Sequence, residues 1–277
     1  KVLIGRGAYI YVPKLLKELE ANGLNNSSRV GIDAYATIVT EEHLKEELEN
    51  SNLMKNVGSV GTGSGIARRD KLMRNPNLTF AKDIPDFRPY MVDTVDFVHE
   101  LLAKEKNILH EGDQGFLLDL NHSPDYPYVT SRSVNASSFL GEAGIGPNEV
   151  RDVYLVFKPY VTRVDGRPIK NEITDSGILE WCKNIGHEVG TVSGRIRKIG
   201  GFDWETAARA IKVNGATKLC FTHMDFFGDL THEIPHKAQV FLYDVEEKLE
   251  SKYPHPKTTL LSYGPGVMDV INTNKER

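Results

Sequence analysis

The sequence predicts an α/β fold: a single large domain with a mostly parallel central sheet flanked by helices. Short apolar runs typical of strands alternate with segments of helical apolar spacing in the first part of the chain. Some of these runs break directly into glycines, as strands do at the ligand-binding edge of an open sheet. The 277 residues also suffice to bury a large core.

The predicted elements follow one another closely. Residues 2–4 are strand-like and lead into a Gly-x-Gly turn, and Pro13 begins a helix with leucines at helical spacing. Residues 29–33 and 36–39 are strand-like, and Thr40 is placed to cap an acidic helix over 41–53. Further helices are predicted over 93–102, 136–144 and 204–213, buried strands over 150–157 and 218–221, and a last strand and turn over 260–266.

Composition argues against two classes of partner. A formal net charge of -4 argues against general nucleic-acid binding, so any phosphate contact should come from a few placed cations. The sequence contains no apolar stretch of membrane-spanning length and no signal peptide, so we expect a cytoplasmic protein that binds no membrane. Cys182 and Cys220 stand singly without metal-site spacing, and we expect both to be reduced.

The most informative stretch spans residues 107–135. A short strand-like run at 107–109 breaks into glycines on either side of Gln114, and a Pro-rich turn then leads to Thr130. A strand that ends in this way would place backbone N–H groups and the amide of Gln114 at the carboxyl edge of a sheet, where open α/β folds bind ligands. Taken alone the pattern is common, and it usually only turns the chain.

A loop rich in glycine and hydroxyl residues, at 58–65, precedes a basic helix that ends near Arg74. Small residues allow a phosphate to approach closely, and the N-terminus of the helix directs N–H groups at it. A flexible loop before a solvated basic face is the commoner fate of such a pattern. The spacing of a Walker P-loop is absent.

Two later segments carry further candidate ligand contacts. Arg195 and Arg197 alternate on an extended segment and so point to one side, which suits capture of a small dicarboxylate, although an exposed basic loop is the usual alternative. The strand at 218–221 runs into Thr222, His223 and Asp225. A carboxylate at a strand end can accept two N–H bonds from a guanine edge, whereas a histidine there is more often a packed strand-end residue.

Together these strings resemble the adenylosuccinate synthetase family. The resemblance rests on five motifs that appear in the family's order between Gly58 and Gly266. It implies an α/β fold related to the P-loop NTPases and a C–N ligase. Such a ligase joins L-aspartate to C6 of a purine nucleoside monophosphate, with NTP hydrolysis through a 6-phosphoryl intermediate. The first motif is the loop and helix at 58–74. The second comprises Gln114-Gly115, Leu117-Leu118-Asp119, His122 and residues 126–131. The other three are Ser193 to Arg197 followed by Asp203, Thr222 to Asp225, and Ser262 to Pro265.

The resemblance also implies residue roles. Gln114 would be the catalytic residue that orients the purine, and Arg74 would reach across a homodimer to the partner's nucleotide. Mg²⁺ is the implied cofactor, with no metal ligand expected in these residues. The implied substrate-nucleotide contacts are Ser59, Val60, Gly61, Thr62, Arg74, Gln114, Thr130 and Val164. The implied aspartate contacts are Ser193, Gly194, Arg195 and Arg197, and the NTP base contacts are Thr222, His223, Asp225, Ser262 and Gly264.

Two departures from the family pattern bear on substrate choice. Val60 stands where a Thr is usual, so only its backbone N–H can serve there, and His223 replaces a Lys, which leaves ATP or dATP possible beside GTP as donor. The short archaeal and phage branch of the family contains both IMP enzymes and dGMP enzymes. We predict dGMP or GMP as acceptor, giving 2-amino-N6-succinyl-(deoxy)adenylate, with IMP as the alternative. A phage-encoded enzyme would act in the host cytoplasm.

The family's catalytic Asp and His lie in a Gly-Asp-Glu-Gly-Lys-Gly-Lys loop and a Gly-His-Thr segment, and neither motif occurs in the sequence. Because the chain opens on a strand-like run without Met, we expect that an N-terminal segment is missing. Two alternatives stay open: a degenerate nucleotide-binding protein without catalysis, and a dimeric regulator that senses purine nucleotides.

Overall fold

The computed structural model describes residues 1–163, 169–186, 188–189, 194, 197–253 and 256–273. The chain divides into two compact units, Lys1–Val150 and Arg151–Arg277, here called the first and the second unit. Each unit has its own hydrophobic core.

The first unit alternates short strands with helices. In order, the elements are β1 (Val2–Ile4), β2 (Tyr9–Tyr11), α1 (Val12–Ala21), β3 (Val30–Asp33), β4 (Thr37–Val39), α2 (Glu41–Glu49), α3 (Ser64–Leu72), β5 (Met91–Val92), α4 (Thr94–Ala103) and α5 (Ala136–Ala143). Every pair of these strands is parallel: β1-β3-β5 form one sheet and β2-β4 another.

Side-chain caps set the starts of these helices. Thr40 caps α2 in a capping box with His43, as predicted, and Asp93 caps α4 through the N–H groups of Val95 and Asp96. The predicted end of the acidic helix at residue 53 is wrong. Asn50 leaves helical geometry and accepts a hydrogen bond from the N–H of Leu53, so α2 stops at Glu49 and a π-helical turn, Asn52–Val57, follows.

The core of the first unit forms around β3, which is buried along its whole length. Ile32 and Phe87 are fully buried, and Leu19 of α1 packs into the same cluster. Burying side chains of this size contributes about 1.5–3 kcal/mol each. These contacts around β3 therefore stabilise the first unit.

The second unit contains a four-stranded sheet and a two-stranded one. The elements are β6 (Tyr154–Phe157), β7 (Tyr160–Arg163), α6 (Ser176–Asn184), β8 (Lys198–Gly201), α7 (Trp204–Asn214), β9 (Lys218–Phe221), α8 (His236–Lys248), β10 (Lys257–Ser262) and β11 (Val270–Asn272). The larger sheet has the order β11-β10-β9-β6. Its strands β6, β9 and β10 are parallel, and β11 is an antiparallel edge strand that the sequence did not reveal, while β7 and β8 pair antiparallel.

The core of the second unit lies between the four-stranded sheet and helices α7 and α8. Phe221 of β9 and Leu261 of β10 are fully buried, and Phe221 packs edge-on against Phe241 of α8 with ring centroids 5.4 Å apart. The predicted burial of the 150–157 strand is wrong. Because β6 lies at the edge of its sheet, Tyr154 and Val156 are 50% and 59% exposed.

The predicted α/β class, with mostly parallel strand pairing and flanking helices, is confirmed. The predicted strand at 107–109 is wrong, because this run has no regular structure and Leu109 is 87% exposed. In the described part of the chain, no helix is both long enough and apolar enough to cross a bilayer.

Candidate functional site

The glycine-rich loop before α3 is held by a buried carboxylate. Glu47 of α2 is 4% exposed, and its two oxygens accept hydrogen bonds from the Ser59 hydroxyl and the Gly63 backbone N–H. The Ser59 hydroxyl is therefore committed to Glu47 and supports the loop from inside. The backbone N–H of Ser59 donates to the Leu53 carbonyl at 2.9 Å, so both donors of this predicted phosphate contact are already engaged within the first unit.

The outer part of this loop forms an open cradle of amides. Within the described residues, the backbone N–H groups of Val60, Gly61 and Thr62 have no hydrogen-bond acceptor, and Val60 and Thr62 are exposed. Gly63, the N-cap residue of α3, has φ at 72°, and a Cβ there would lie 2.7 Å from Val39 Cγ1 and 2.9 Å from the Leu44 nitrogen. Glycine is therefore required at this position, and the loop can present successive N–H groups to an anion.

The cations of α3 do not form a solvated basic face, because most of them are paired within the first unit. Burial, and next the charge of Arg68, lower the pKa of Lys71. Arg68 contacts Glu142 at 3.2 Å, Arg69 binds Glu46 and Asp70, and Lys71 donates to the Thr37 hydroxyl at 3.0 Å.

Arg74 differs from these cations. It lies just past α3 with φ at 58°, it is exposed, and none of the described carboxylates lies within ion-pair distance of it. The two residues before it, Leu72 and Met73, are 74% and 76% exposed. The end of α3 therefore presents an unneutralised guanidinium next to two exposed apolar side chains.

Thr130 lies in a segment held by the buried carboxylate of Asp119. Asp119 Oδ2 accepts from the Val134 N–H at 2.7 Å and from Asn135 Nδ2 at 3.1 Å, and Oδ1 accepts from the N–H groups of Asn121 and His122, both at 2.8 Å. Burial alone would raise the pKa of Asp119, but these hydrogen bonds outweigh it and hold the pKa below its usual value.

This arrangement brings Thr130 next to the glycine-rich loop. The N–H of Thr130 donates to the Leu118 carbonyl at 2.9 Å, and a Cβ on Gly65 would lie 3.4 Å from the neighbouring Ser131 Oγ. The structure therefore joins two of the predicted nucleotide-binding segments, at the N-terminus of α3.

Gln114 is placed differently from the prediction. No strand carries it to a sheet edge: it lies in an exposed loop with φ at 69°, just before the short 3₁₀ helix Phe116–Leu118. The flanking run is too short and too exposed to pair as a strand, so the amide of Gln114 projects from a turn.

The predicted donor-base residues of the second unit meet at one sheet edge. Phe221 of β9 is aligned with Leu261 of β10, so Thr222 and Ser262 lie at the same edge, and Asp225 and Gly264 follow them a few residues further along the chain. The N–H of Thr222 donates to the Phe157 carbonyl at 2.8 Å. Burial raises the pKa of Asp225. This is the carboxyl edge of three parallel strands, where α/β folds bind ligands.

A buried carboxylate, Glu188, organises the polar groups beside this edge. Its side chain is 2% exposed and accepts from Lys158 Nζ at 2.7 Å, the Tyr160 hydroxyl at 2.7 Å and Arg197 Nη1 at 2.9 Å. These four residues are called the Glu188 cluster. Burial acts to raise the pKa of Glu188, but its hydrogen bonds and the Lys158 charge lower it, so the carboxylate is ionised at neutral pH.

Arg197 and His223 both adjoin the cluster. The Arg197 side chain is 30% exposed, so part of its guanidinium faces solvent while one nitrogen is held by Glu188. His223 Nε2 lies 4.0 Å from Glu188 Oε1, and its Nδ1 lies 3.2 Å from Thr222 Oγ1. Burial, and next the Lys158 charge, lower the pKa of His223, which favours the neutral imidazole.

Three predicted contacts, Val164, Ser193 and Arg195, lie outside the described residues. Gly194 is exposed with φ at 64°. No three His, Cys, Asp or Glu side chains of the described residues are grouped so as to hold a metal ion.

Comparison with known proteins decides the family. The family model for adenylosuccinate synthetase matches residues 77–267. The chain is 38% identical over 257 residues to the adenylosuccinate synthetase of Methanococcus aeolicus, a match that covers 90% of this chain and 74% of that protein. The chain belongs to the adenylosuccinate synthetase family. The Pyrococcus horikoshii adenylosuccinate synthetase is similar at 37% identity over 257 residues, with the same coverage of 90% and 74%.

Solved structures of adenylosuccinate synthetase relatives share the fold. The fully ligated Plasmodium falciparum adenylosuccinate synthetase superposes with a TM-score of 0.82 at 20% identity, covering 98% of this chain and 84% of that one. The succinoaminodeoxyadenylate synthetase of cyanophage S-2L, solved with dGMP and with dATP as energy donor, gives 0.76 at 24% identity, covering 98% and 76%. The predicted fold and enzyme class, a C–N ligase of purine biosynthesis that binds nucleotides, are confirmed by the family.

Sequence reasoning misses the residues that support the site. Glu47 and Glu188 are single carboxylates without a motif, and Asp119 stands out only as part of a motif. A buried acidic residue leaves no periodic signal in a sequence, because its partners come from distant segments. Only the strand-end position of Lys158 and Tyr160 could have suggested a role for them.

Proposed function

We propose that this chain joins L-aspartate to C6 of dGMP or GMP at the expense of an NTP, giving 2-amino-N6-succinyl-(deoxy)adenylate. The observation that carries the aspartate step is the partly exposed guanidinium of Arg197, held by Glu188 beside the carboxyl edge of β6, β9 and β10. A fixed guanidinium with free N–H donors suits a carboxylate ligand.

The nucleotide 5′-phosphate binds at the amide cradle of Val60, Gly61 and Thr62, with Thr130 donating its hydroxyl. The free N–H groups and the N-terminus of α3 favour an anion there. Gln114 offers an amide donor and acceptor to the purine edge, and its exposed turn allows it to approach a bound base. Val164 contributes an apolar contact to the sugar.

The reaction proceeds in two steps. The γ-phosphoryl group of the NTP is transferred to O6 of the purine. The amine of aspartate then attacks C6, the C6–O6 bond breaks, inorganic phosphate leaves and the amine loses a proton. Arg197, with Gly194, Ser193 and Arg195, binds the aspartate carboxylates and so directs the amine at C6. Positioning of this kind supplies much of the rate of such transfers.

The donor base is bound at the strand-end edge by Thr222, His223 and Asp225 from one side and by Ser262 and Gly264 from the other. His223 stands where the family usually has a lysine, and this replacement supports ATP or dATP as donor, with GTP as the alternative; burial lowers the pKa of His223, which favours the neutral imidazole. Mg²⁺ is the cofactor we propose. Since protein carboxylates often supply only one or two of its ligands, the nucleotide phosphates would hold most of it.

The acceptor is tested by comparing kcat/KM for dGMP, GMP and IMP with the protein from its full coding sequence. We expect dGMP or GMP to be preferred, because Val60 and His223 both depart from the housekeeping pattern and the phage relative is solved with dGMP and dATP. IMP is the second candidate, and the archaeal adenylosuccinate synthetases at 38% and 37% identity favour it. A higher kcat/KM for IMP would overturn the preference and leave the ligase class intact.

We also propose a homodimer in which Arg74 of one chain contacts the nucleotide of the other. The exposed pair Leu72 and Met73 beside an unneutralised Arg74 supports it, because an interface would bury the apolar pair. Arg74→Ala should weaken nucleotide binding at least tenfold without lowering Tm. Mixing it with Thr130→Val should restore about a quarter of the activity through hybrid dimers. A fully active monomer in light scattering would contradict the proposal.

A further inference from the structure

We propose that Glu188 is a positioning residue for aspartate capture, which acts by fixing the guanidinium of Arg197. The inference rests on the proposed function and deepens it: Arg197 would bind the aspartate, and Glu188 would hold the Arg197 side chain in the orientation that binding requires. Glu188 itself is 2% exposed, so we assign it no direct contact with the substrate.

Residue 197 is held by Glu188 at two points. Its Nη1 donates to Glu188 Oε2 at 2.9 Å, and its backbone N–H donates to the Glu188 carbonyl, also at 2.9 Å. Both the backbone and the tip of Arg197 are thereby fixed relative to one buried residue. A guanidinium has five N–H donors, so the bond to Glu188 leaves others free for a carboxylate ligand.

The Glu188 cluster also keeps an excess of positive charge. Lys158 and Arg197 are two cations against the single carboxylate of Glu188, and the neighbouring His223 tends to be neutral. The Tyr160 hydroxyl supplies the third hydrogen bond without adding charge. Glu188 therefore restrains Arg197 without neutralising both cations of the cluster, although burial lowers the pKa of Lys158 and the carboxylate of Asp225 acts on Tyr160 and His223 from outside it.

Glu188 is anchored independently of Arg197. Lys158 follows β6 directly and Tyr160 begins β7, so both donors come from the framework of the second unit. A carboxylate fixed by two framework donors can hold a third group in a set orientation. Loss of its charge should release Arg197 while leaving the strands in place.

The test is Glu188→Gln in the protein from its full coding sequence, with apparent KM values for aspartate, acceptor nucleotide and donor. We expect the aspartate KM to rise at least tenfold while the two nucleotide KM values change less than threefold. If Glu188→Gln only impaired folding, a smaller fraction of the protein would be active. The apparent kcat would then fall, and the KM values would stay unchanged. An aspartate KM within twofold of the unaltered protein, or an equal rise for all three substrates, would overturn the proposal.

A double-substitution cycle makes the test specific. If Glu188 acts through Arg197, then Glu188→Gln added to Arg197→Leu should change the aspartate KM less than twofold beyond Arg197→Leu alone. Independent, multiplying effects would contradict that mechanism. Glu172→Gln is the matched control, because this carboxylate is 40% exposed and lies 3.9 Å from Lys198; it should change no KM.

Two further readouts keep the proposal decidable. If circular dichroism shows that Glu188→Gln is unfolded, Tyr160→Phe removes one anchor of Glu188 and should still raise the aspartate KM two- to fivefold; an unchanged value would overturn the proposal. The unaltered protein is measured first. Phosphate release that does not depend on aspartate would remove the proposed function, whereas a normal aspartate dependence with no effect of Glu188→Gln would remove only this role.

Discussion

Replacing Arg197 by leucine should raise the apparent KM for aspartate by about ten- to 150-fold. A hydrogen bond to a charged group contributes about 1.5–3 kcal/mol, and each 1.4 kcal/mol corresponds to a factor of ten. The affinity for the purine nucleotide should stay nearly unchanged, because its proposed contacts lie in other segments. The measurement is initial-rate phosphate release over a range of aspartate concentrations, at saturating nucleotides.

The control is the same substitution at a cation outside the candidate site. Arg151→Leu removes a side chain that is 82% exposed and that pairs only with its neighbour Asp152 among the described residues. It should leave the aspartate KM unaltered. If Arg197→Leu left the aspartate dependence as it is, Arg197 would not belong to the aspartate site.

Removing the carboxylate of Asp119 should lower the free energy of unfolding by about 2–6 kcal/mol, because two buried donors lose their acceptor and each costs about 1–3 kcal/mol. Asp119→Ala leaves the N–H of Val134 and the side-chain amide of Asn135 without an acceptor, and both residues are buried. The measurement is the urea midpoint at constant slope. Asp113→Ala is the control, because that carboxylate is 64% exposed; a loss as large in Asp113→Ala would contradict the role of Asp119.

The same carboxylate should make the stability depend on pH in the acid range. Burial opposes the shift, but the hydrogen bonds from Val134, Asn121 and His122 lower the pKa of Asp119 below its usual 3.8 in the folded state. Its contribution is therefore fully present well above pH 3.8 and is lost as pH falls through the folded pKa. Asp119→Ala should consequently lose less stability than the unaltered protein between pH 5 and pH 2.

Local sequence signals predicted α1 to α5 and α7, because a helix forms from contacts within its own segment, but the sequence analysis did not predict α6 or α8. Thr40 and Asp93 cap α2 and α4 with their own side chains, and Asp203 caps α7 by accepting from Thr206. Strands depend on partners elsewhere in the chain. The run at 107–109 has no strand partner in the described residues, and β6 has a partner on one side only. Apolar content therefore predicted a strand at 107–109 and burial of β6, and both predictions were wrong.

The sequence predicted the motif residues of the candidate site but not the buried carboxylates that hold them. The strand-end residues Thr222 and Ser262 meet at one edge because β9 and β10 are parallel neighbours, which the α/β pattern implies. The carboxylates that hold the site, Glu47 and Glu188, could not be inferred, because their role depends on burial and on donors distant in the chain. A degenerate protein or a nucleotide sensor would differ from the ligase in turnover alone.

The most direct measurement is therefore inorganic phosphate release by the protein from its full coding sequence, with donor nucleotide, acceptor nucleotide and aspartate, each omitted in turn. The ligase account predicts one phosphate per N6-succinyl product and negligible product when any one substrate is left out. Binding of nucleotides with no aspartate-dependent phosphate release and no succinylated product would contradict it.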